Sequence, residues 1–207
     1  MVKPRKKANK TREAVQQAVV QMAAQPIAQS GLKIDFGCGP NKRPGFTGVD
    51  SRAFPGVDVV LDLVERVSPT MYKPWPWADG SVAEVFSSHF IEHLTGPQRV
   101  WFFNELYRVM RVGGTGLVIT PYWSHASAYG DPTHQWPPMS EWMSFYLNRQ
   151  WRDMNAPHTD YTCDFDTTFG GSWDGWLEAR NAEHKSFAMN KYTNSWRDLH
   201  ITIAKNR

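Results

Sequence analysis

The feature that most constrains the fold is a short apolar run that ends in an acid and then in two glycines one residue apart. It spans residues 32–41 and reads LKIDFGCGPN. A buried strand can deliver the chain to such a turn, and Gly37 and Gly39 have no side chain to hold a ligand away from the backbone amides. The run therefore predicts a β-strand followed by a cofactor-binding turn.

Strand-like and helix-like runs alternate along the rest of the chain, and several of the strand-like runs end in an acid or in Ser-Ser-His. We predict strands at residues 33–36, 46–49, 57–61, 84–88, 116–120 and 198–204, and helices at residues 97–111, 140–151 and 176–190. Such alternation is typical of a mostly parallel sheet packed between helices. The sequence therefore predicts an α/β fold: a doubly wound, mostly parallel, seven-stranded Rossmann-like sheet with helices on both faces and a C-terminal substrate-cap insertion.

The first crossover is unusually short. Few residues separate Gly39 from the second predicted strand, and they include Pro40 and Pro44. A parallel connection usually needs about a dozen residues. Either the first helix is reduced to a turn, or the second strand lies elsewhere.

Length and charge indicate one domain preceded by a basic arm. The chain has 207 residues, 41% of them apolar, which is enough for a single core. Residues 1–30 hold six basic side chains against one acid. This arm is either solvated or able to bind nucleic acid or another acidic partner, and a helix from Thr11 to about Ala24 is predicted within it. This division predicts one domain at residues 31–207, with the substrate cap at about 122–160.

No apolar stretch approaches the roughly 20 residues that a membrane-spanning helix requires. We therefore expect a cytoplasmic protein that does not associate with membranes. The two cysteines, Cys38 and Cys163, are too few for a disulfide framework and are predicted to be free thiols. The oligomeric state is left open.

From residue 32 to residue 121 the chain resembles the class I S-adenosylmethionine-dependent methyltransferases of the type 11 group. In that family an acid precedes the glycine turn, an acid ends the second strand, an aspartate follows the third, and the fourth ends beside the reactive methyl group. The residues at these places are Asp35, Gly37, Gly39, Asp50, Asp62 and Ser87-Ser88-His89.

The resemblance implies S-adenosylmethionine (SAM) as cofactor. Asp50 would accept hydrogen bonds from the ribose, Asp62 with Leu63 would bind adenine, and Asp35 would bind the methionine ammonium. The predicted cofactor-binding residues are Asp35, Phe36, Gly37, Cys38, Gly39, Asp50, Ser51, Asp62, Leu63, Ser88 and His89. The family's third glycine is absent, and the turn also lacks the G-x-G-x-x-G pattern of nicotinamide-binding proteins.

The resemblance also implies methyl transfer to an oxygen or nitrogen nucleophile, with a small molecule as the expected acceptor. His89 is the first candidate for a general base because the fourth-strand loop adjoins the methyl group. His134 and Tyr122, from the predicted cap, are further catalytic candidates. The Asn/Asp-Pro-Pro-aromatic and Pro-Cys motifs of DNA-base methyltransferases are absent, whereas the basic arm keeps RNA open as an acceptor.

Two other interpretations compete with this one. Residues 89–93 read HFIEH, the H-x-x-E-H pattern of a class of zinc hydrolases, which requires both histidines on one helix face and a third ligand downstream. His89 directly follows a predicted strand, which argues against that arrangement, so no metal site is predicted. The other alternative is a methyltransferase-like fold that serves as a non-catalytic binding or scaffold module.

Overall fold

The computed structural model describes residues 31–206. The basic arm, with its predicted helix from Thr11 to about Ala24, lies outside the described residues. Within the described part of the chain, no helix is long and apolar enough to cross a membrane. Cys38 and Cys163 are free thiols, as predicted, and both are buried.

A seven-stranded sheet forms the centre of the molecule. Its strands are β1 (Leu32–Phe36), β2 (Thr47–Asp50), β3 (Val59–Val60), β6 (Val82–Ser88), β7 (Met110–Pro121), β8 (Asp166–Trp173) and β9 (Trp196–Lys205). They lie in the order β3-β2-β1-β6-β7-β9-β8. The strands from β3 to β7 in this order pair in parallel, and β9 is antiparallel to both of its neighbours. A separate hairpin is formed by β4 (Arg66–Ser68) and β5 (Met71–Tyr72).

The described helices follow β6, and most of them are short. A 3-10 turn spans Ile91–His93. The α-helices are α1 (Gly96–Val109), α2 (Ser127–Gly130), α3 (Trp142–Tyr146), α4 (Arg149–Asn155), α5 (Gly175–Glu178) and α6 (Ala182–Lys191). The prediction of a mostly parallel seven-stranded Rossmann-like sheet with helices is confirmed.

Helix α1 begins where its sequence indicates. Thr95 and Gln98 form a capping box, in which the Thr95 amide donates to the Gln98 Oε1 at 2.8 Å, and Pro97 occupies the first turn. The helix ends at Val109 rather than at the predicted residue 111, because Met110 already pairs with Val82 of β6.

Helix α1 packs on the sheet through an aromatic cluster. The ring of Phe36, at the end of β1, stacks on Trp75 with a centroid distance of 4.7 Å and meets Trp77 and Phe102 edge-on. All four side chains are buried. The cluster fixes the end of β1, and with it the start of the glycine turn.

The first crossover contains a turn instead of a helix, which decides between the two alternatives left by the sequence. The amides of Gly37 and Cys38 both donate to the Val49 carbonyl, at 2.8 and 3.1 Å. The loop folds back through a hydrogen bond from the Phe46 amide to the Arg43 carbonyl, at 3.2 Å. The chain therefore enters β2 at Thr47 with no intervening helix.

Two predicted helices are each divided by an asparagine. The predicted helix at 140–151 is divided into α3 and α4, because the Asn148 side chain accepts from the Trp151 amide and caps α4. The predicted helix at 176–190 is divided into α5 and α6, because the Asn181 side chain accepts from the His184 amide. Asparagine favours the N-cap position over the interior of a helix.

The sequence predictions did not locate strand β8. It carries Gly170 and Gly171 and polar residues on both faces, so it lacks the apolar alternation of a half-buried strand. Strand β8 is instead defined by its pairing with β9 over residues 166–173, which its sequence pattern does not indicate.

Candidate functional site

The predicted site residues gather at the carboxyl edge of the parallel strands. The strand order reverses between β1 and β6, so the loops after these two strands lie beside each other. Open α/β sheets bind ligands at such a reversal. We call the loops after β1, β2 and β3 the glycine-turn side, and the residues around the loop after β6 the histidine side.

Two glycines shape the glycine-turn side, and they have different surroundings. Gly37 has φ +70°, and a Cβ there would lie 2.4 Å from the ring of Phe90, which comes from the loop after β6. Gly39 has φ +52°, and a Cβ there would meet nothing within 4 Å. The approach to the backbone is therefore open at Gly39, whereas Phe90 covers Gly37.

Asp50, at the end of β2, is tied to this turn. Its Oδ2 accepts a hydrogen bond from the Gly39 amide at 2.9 Å, and its Oδ1 accepts one from the Arg52 amide at 2.9 Å. The residue is half-buried, and Ser51 beside it is exposed. Because a carboxylate has about four acceptor sites, two remain for a ligand.

Asp35 lies beneath the turn. The residue is only 2% exposed, and its Oδ2 accepts a hydrogen bond from the Arg43 amide at 2.7 Å. Burial raises the pKa of Asp35, although the Arg43 amide and the nearby charges of Arg43 and Lys42 act in the opposite direction. In this structure Asp35 holds the first crossover, and contact with a methionine ammonium stays a prediction.

Asp62 and Leu63 differ in exposure. Asp62 is exposed, and its Oδ1 accepts from the Val64 amide at 2.9 Å. Leu63 is buried in the core, and its carbonyl accepts from the indoles of Trp75 and Trp101, at 2.9 and 3.2 Å. Asp62 is thus available to a ligand, and packing of Leu63 against one stays a prediction.

Phe36 and Cys38 flank Gly37 but point into the protein. Phe36 is fully buried, and Cys38 is 9% exposed. Burial, together with the negative charges of Asp35 and Asp50, raises the pKa of the Cys38 thiol to about 11. Only the backbone of these two residues is therefore suited to contact a ligand.

On the histidine side, His89 occupies a special backbone conformation at the end of β6, next to Ser88. Its φ is +53°, a value that non-glycine residues seldom adopt, and its amide donates to the Ile119 carbonyl at 2.9 Å. Its Nδ1 lies 3.2 Å from the Glu92 Oε1, and its Nε2 lies 3.8 Å from the Asp198 Oδ1. The hydrogen bond to Glu92 raises the pKa of His89 against the opposing effect of burial.

A cavity of about 420 Å³ opens beside His89. His134 lines it together with His89, and the carboxylates of Glu92 and Asp198 are buried in its wall. The structure therefore brings two of the three predicted catalytic residues together.

Tyr122 does not line this cavity. Its hydroxyl donates to the Glu141 Oε2 at 2.8 Å, and the residue is 5% exposed. Burial and the bond to Glu141 raise the pKa of Tyr122 to about 12. This environment favours a structural contact between the start of the predicted cap and the N-cap residue of helix α3, and a catalytic role for Tyr122 has no support in its surroundings.

Sequence reasoning missed Asp198 and Asp131. Asp198 reaches the cavity because β9 runs antiparallel to β7, which places it opposite Pro121. Asp131 lies in the loop after α2 and also lines the cavity. Asp198 begins the predicted last strand, which was a signal for it, but only the position of β9 in the sheet brings it near His89.

The H-x-x-E-H pattern does not form the helical arrangement of the zinc hydrolases. His89 lies in the loop after β6, and Glu92 and His93 lie in a 3-10 turn, so the two histidines do not share an α-helix. The structure instead groups Glu92 and His93 with His134, and one potential ligand atom from each lies within 4.8 Å of the others.

Comparisons with known proteins agree with this geometry at the level of the fold. No family model matches the chain, and no curated protein matches it in sequence. Among solved structures, a SAM-dependent methyltransferase from Archaeoglobus fulgidus superposes with a TM-score of 0.57 at 20% identity, covering 93% of both chains. One from Thermotoga maritima gives a TM-score of 0.55 at 13% identity, covering 96% of this chain and 95% of that one. The chain thus has the class I fold of the SAM-dependent methyltransferases.

Proposed function

We propose that this protein binds SAM and catalyses methyl transfer to an oxygen or nitrogen atom of a small-molecule acceptor. The observation that carries the proposal is the hydrogen bond between the Gly39 amide and the Asp50 carboxylate, which joins the open glycine turn to the acid that ends β2. The sheet's strand order and the similarity to solved methyltransferases support the same conclusion.

The residues at the carboxyl edge fit this cofactor chemically. Asp50 keeps acceptor sites for a ribose diol, and exposed Asp62 keeps acceptor sites for an adenine amino group. The open space above Gly39 permits close approach to the backbone. Bound SAM supplies a methyl group on an already activated sulfonium.

The chain's own contribution to the reaction is then alignment, exclusion of water and removal of a proton. His89 lies at the end of β6 with its imidazole between the carboxylates of Glu92 and Asp198. These two acids stabilise the imidazolium that forms when His89 accepts a proton from the acceptor. Holding the two reactants in line accounts for most of the expected rate enhancement.

Calorimetric titration with SAM and with its demethylated product tests cofactor binding. The wild-type protein should bind both, and Asp50→Asn should weaken binding at least about tenfold because it removes charge from the ribose acceptor. Asp153→Asn, in an exposed residue of α4, is the matched control and should bind as wild type does. Absence of binding in the wild type would refute the proposal.

Turnover is tested by release of the demethylated product from SAM across a set of small oxygen and nitrogen nucleophiles. His89→Asn is the informative variant, because asparagine tolerates the positive φ of this position. It should retain cofactor binding and lose turnover. Binding without turnover of any acceptor by the wild type would instead favour the non-catalytic module.

A further inference from the structure

Three side chains that commonly ligate metals meet on the histidine side. Glu92 and His93 come from the 3-10 turn after β6, and His134 comes from the loop after α2. One potential ligand atom from each lies within 4.8 Å of the others. Ligand atoms in a tetrahedral zinc site lie about 3.3 Å apart, which follows from a zinc–ligand distance of about 2.0–2.1 Å. Binding therefore requires the three groups to move closer together, and His93, the exposed member of the three, has the most room to do so.

Hydrogen bonds at Nδ1 orient both histidine rings. Thr133 Oγ1 donates to the Asp131 Oδ1 at 2.7 Å, so it accepts from the His93 Nδ1 at 2.9 Å. The His134 Nδ1 donates to the Ala128 carbonyl at 3.1 Å. With Nδ1 as the donor, the tautomer that these bonds favour carries its free lone pair on Nε2 in each ring. Metal-ligating histidines are oriented in this way by carboxylate or carbonyl partners on their other nitrogen.

A buried arginine holds the two ligand-bearing segments against each other. The Arg99 guanidinium, on α1, donates to the carbonyls of Ile91, Gln135 and Pro137, at 3.1, 2.9 and 2.6 Å. The Gln135 amide also donates to the Glu92 carbonyl at 2.8 Å. These bonds fix the separation of the 3-10 turn from the His134 loop before any ion binds.

We propose that Glu92, His93 and His134 bind a divalent transition-metal ion, for which Zn²⁺ is the best chemical fit. Two imidazoles and one carboxylate form a ligand set found in catalytic zinc sites, and such a set leaves coordination positions free. The free positions face the cavity beside His89, since all three ligands line it.

The location suggests what the ion does, and this part rests on the proposed methyl transfer. The ion binds the acceptor's oxygen or nitrogen atom and draws electron density from it, so that its proton passes more readily to His89. The acceptor atom then forms its bond to the methyl carbon while the sulfur–carbon bond breaks, and the electron pair of that bond stays on sulfur. The acceptor class is therefore one with an ionisable O–H or N–H group.

Metal binding is tested on untagged protein by equilibrium dialysis against Zn²⁺ alone, with metal content measured by mass spectrometry. The wild type should hold one equivalent. His93→Ala and His134→Ala should each weaken binding at least about tenfold, and Glu92→Gln, which preserves the shape of the buried side chain, should do the same. His158→Ala, in an exposed histidine outside the cavity, is the matched control. Co²⁺ in place of Zn²⁺ should give visible absorption bands that these three ligand variants lose.

The results separate this inference from the proposed function. Less than half an equivalent of Zn²⁺ in the wild type, or ligand variants that bind like wild type, would overturn the metal site even if SAM binds. Stoichiometric, variant-sensitive Zn²⁺ binding without SAM binding would support the site and overturn the proposed methyl transfer. Metal-dependent turnover with metal-independent SAM binding is the result expected from both.

Discussion

The two sides of the carboxyl edge are built in different ways. On the glycine-turn side, the carboxylates are held by backbone amides close to them in sequence: Asp50 by Gly39, and Asp35 by Arg43. On the histidine side, the side chains are held by partners from distant segments, as where Thr133 meets His93. The first arrangement follows from local turns, whereas the second exists only when the whole domain is folded. Changes at one side should therefore leave the ligand binding of the other intact.

The largest expected effect is that of Arg99→Ala. It removes three hydrogen bonds made by a buried guanidinium, to the carbonyls of Ile91, Gln135 and Pro137, so the free energy of unfolding should fall by about 3 kcal/mol. Urea denaturation measures this change, with Arg149→Ala as control because that guanidinium is exposed. Calorimetry on the folded variant should find SAM affinity near that of the wild type. An equal loss of cofactor and Zn²⁺ binding would show that the two sides are coupled.

Thiol reactivity compares Cys38, in the glycine turn, with Cys163, which lies outside both sides and contacts Arg152 and Leu147. Burial raises the pKa of Cys38 to about 11 and that of Cys163 to about 12. Alkylation of Cys38 in the native protein at pH 8 should therefore be on the order of 100-fold slower than in the urea-unfolded chain. Cys163 should react more slowly still. Mass spectrometry of digested samples follows each site separately.

The same alkylation experiment, repeated with the demethylated product of SAM, tests where the cofactor binds. The demethylated product of SAM should protect Cys38 further, because this residue lies in the turn, and should leave Cys163 unchanged. Protection of both thiols, or of neither, would contradict the assignment of the glycine turn as the cofactor site.

Phe90, on the histidine side, covers Gly37 on the glycine-turn side, so Gly37→Ala should lower the free energy of unfolding. The added methyl group would lie 2.4 Å from the Phe90 ring, and the residue would keep φ at +70°. We expect a loss of about 2 kcal/mol in the free energy of unfolding, against about 1 kcal/mol for Gly39→Ala, which has φ +52° but open space. Thermal and urea unfolding of both variants measure the difference.

The double variant Gly37→Ala/Phe90→Leu identifies the cause. If contact with the ring is responsible, the smaller leucine should restore part of the stability, with a coupling of at least about 0.5 kcal/mol. Additive losses would attribute the cost to backbone strain alone.

The smallest expected effect concerns Asp58, which braces the loop beside the glycine turn. Burial acts to raise its pKa, but the hydrogen bonds from Lys42 Nζ and the Gly48 amide outweigh it, so the pKa of Asp58 is lowered. A lowered carboxyl pKa stabilises the protein above the unfolded-state value of 3.8, and this contribution is lost as pH falls through the folded-state value. Because the side chain is 44% exposed, Asp58→Asn should cost only about 0.5 kcal/mol at pH 7.

Urea unfolding of wild type and Asp58→Asn at pH 7 and at pH 3 measures this contribution. The difference between the two proteins should shrink at the lower pH. A difference that is unchanged by pH would mean that shape, and not charge, is responsible.

Much of the glycine-turn side could be predicted from the sequence, because its information is local. The apolar run before Gly37 fixes β1, and Asp50 ends the strand that pairs with it, so both belong to one edge of a parallel sheet. The positions of β6 and α1 follow equally from apolar periodicity and from the capping box at Thr95.

Other local features were predicted with wrong boundaries. Asn148 and Asn181 divide helices that hydrophobic periodicity alone joins, since a side-chain cap competes with continuation of the helix. Polar strand β8 has no periodic signal, and its existence depends on its pairing with β9.

By itself, then, the sequence determined the parallel sheet, the glycine turn and the acids that end the strands, because short-range periodicity and turn chemistry specify them. Only the tertiary structure decided that Glu92, His93 and His134 meet, that Asp198 faces His89, and that Phe90 covers Gly37. These contacts depend on strand order and on the buried Arg99 guanidinium, which joins segments far apart in the chain. No local pattern encodes such distances, since they are set by packing of the whole domain.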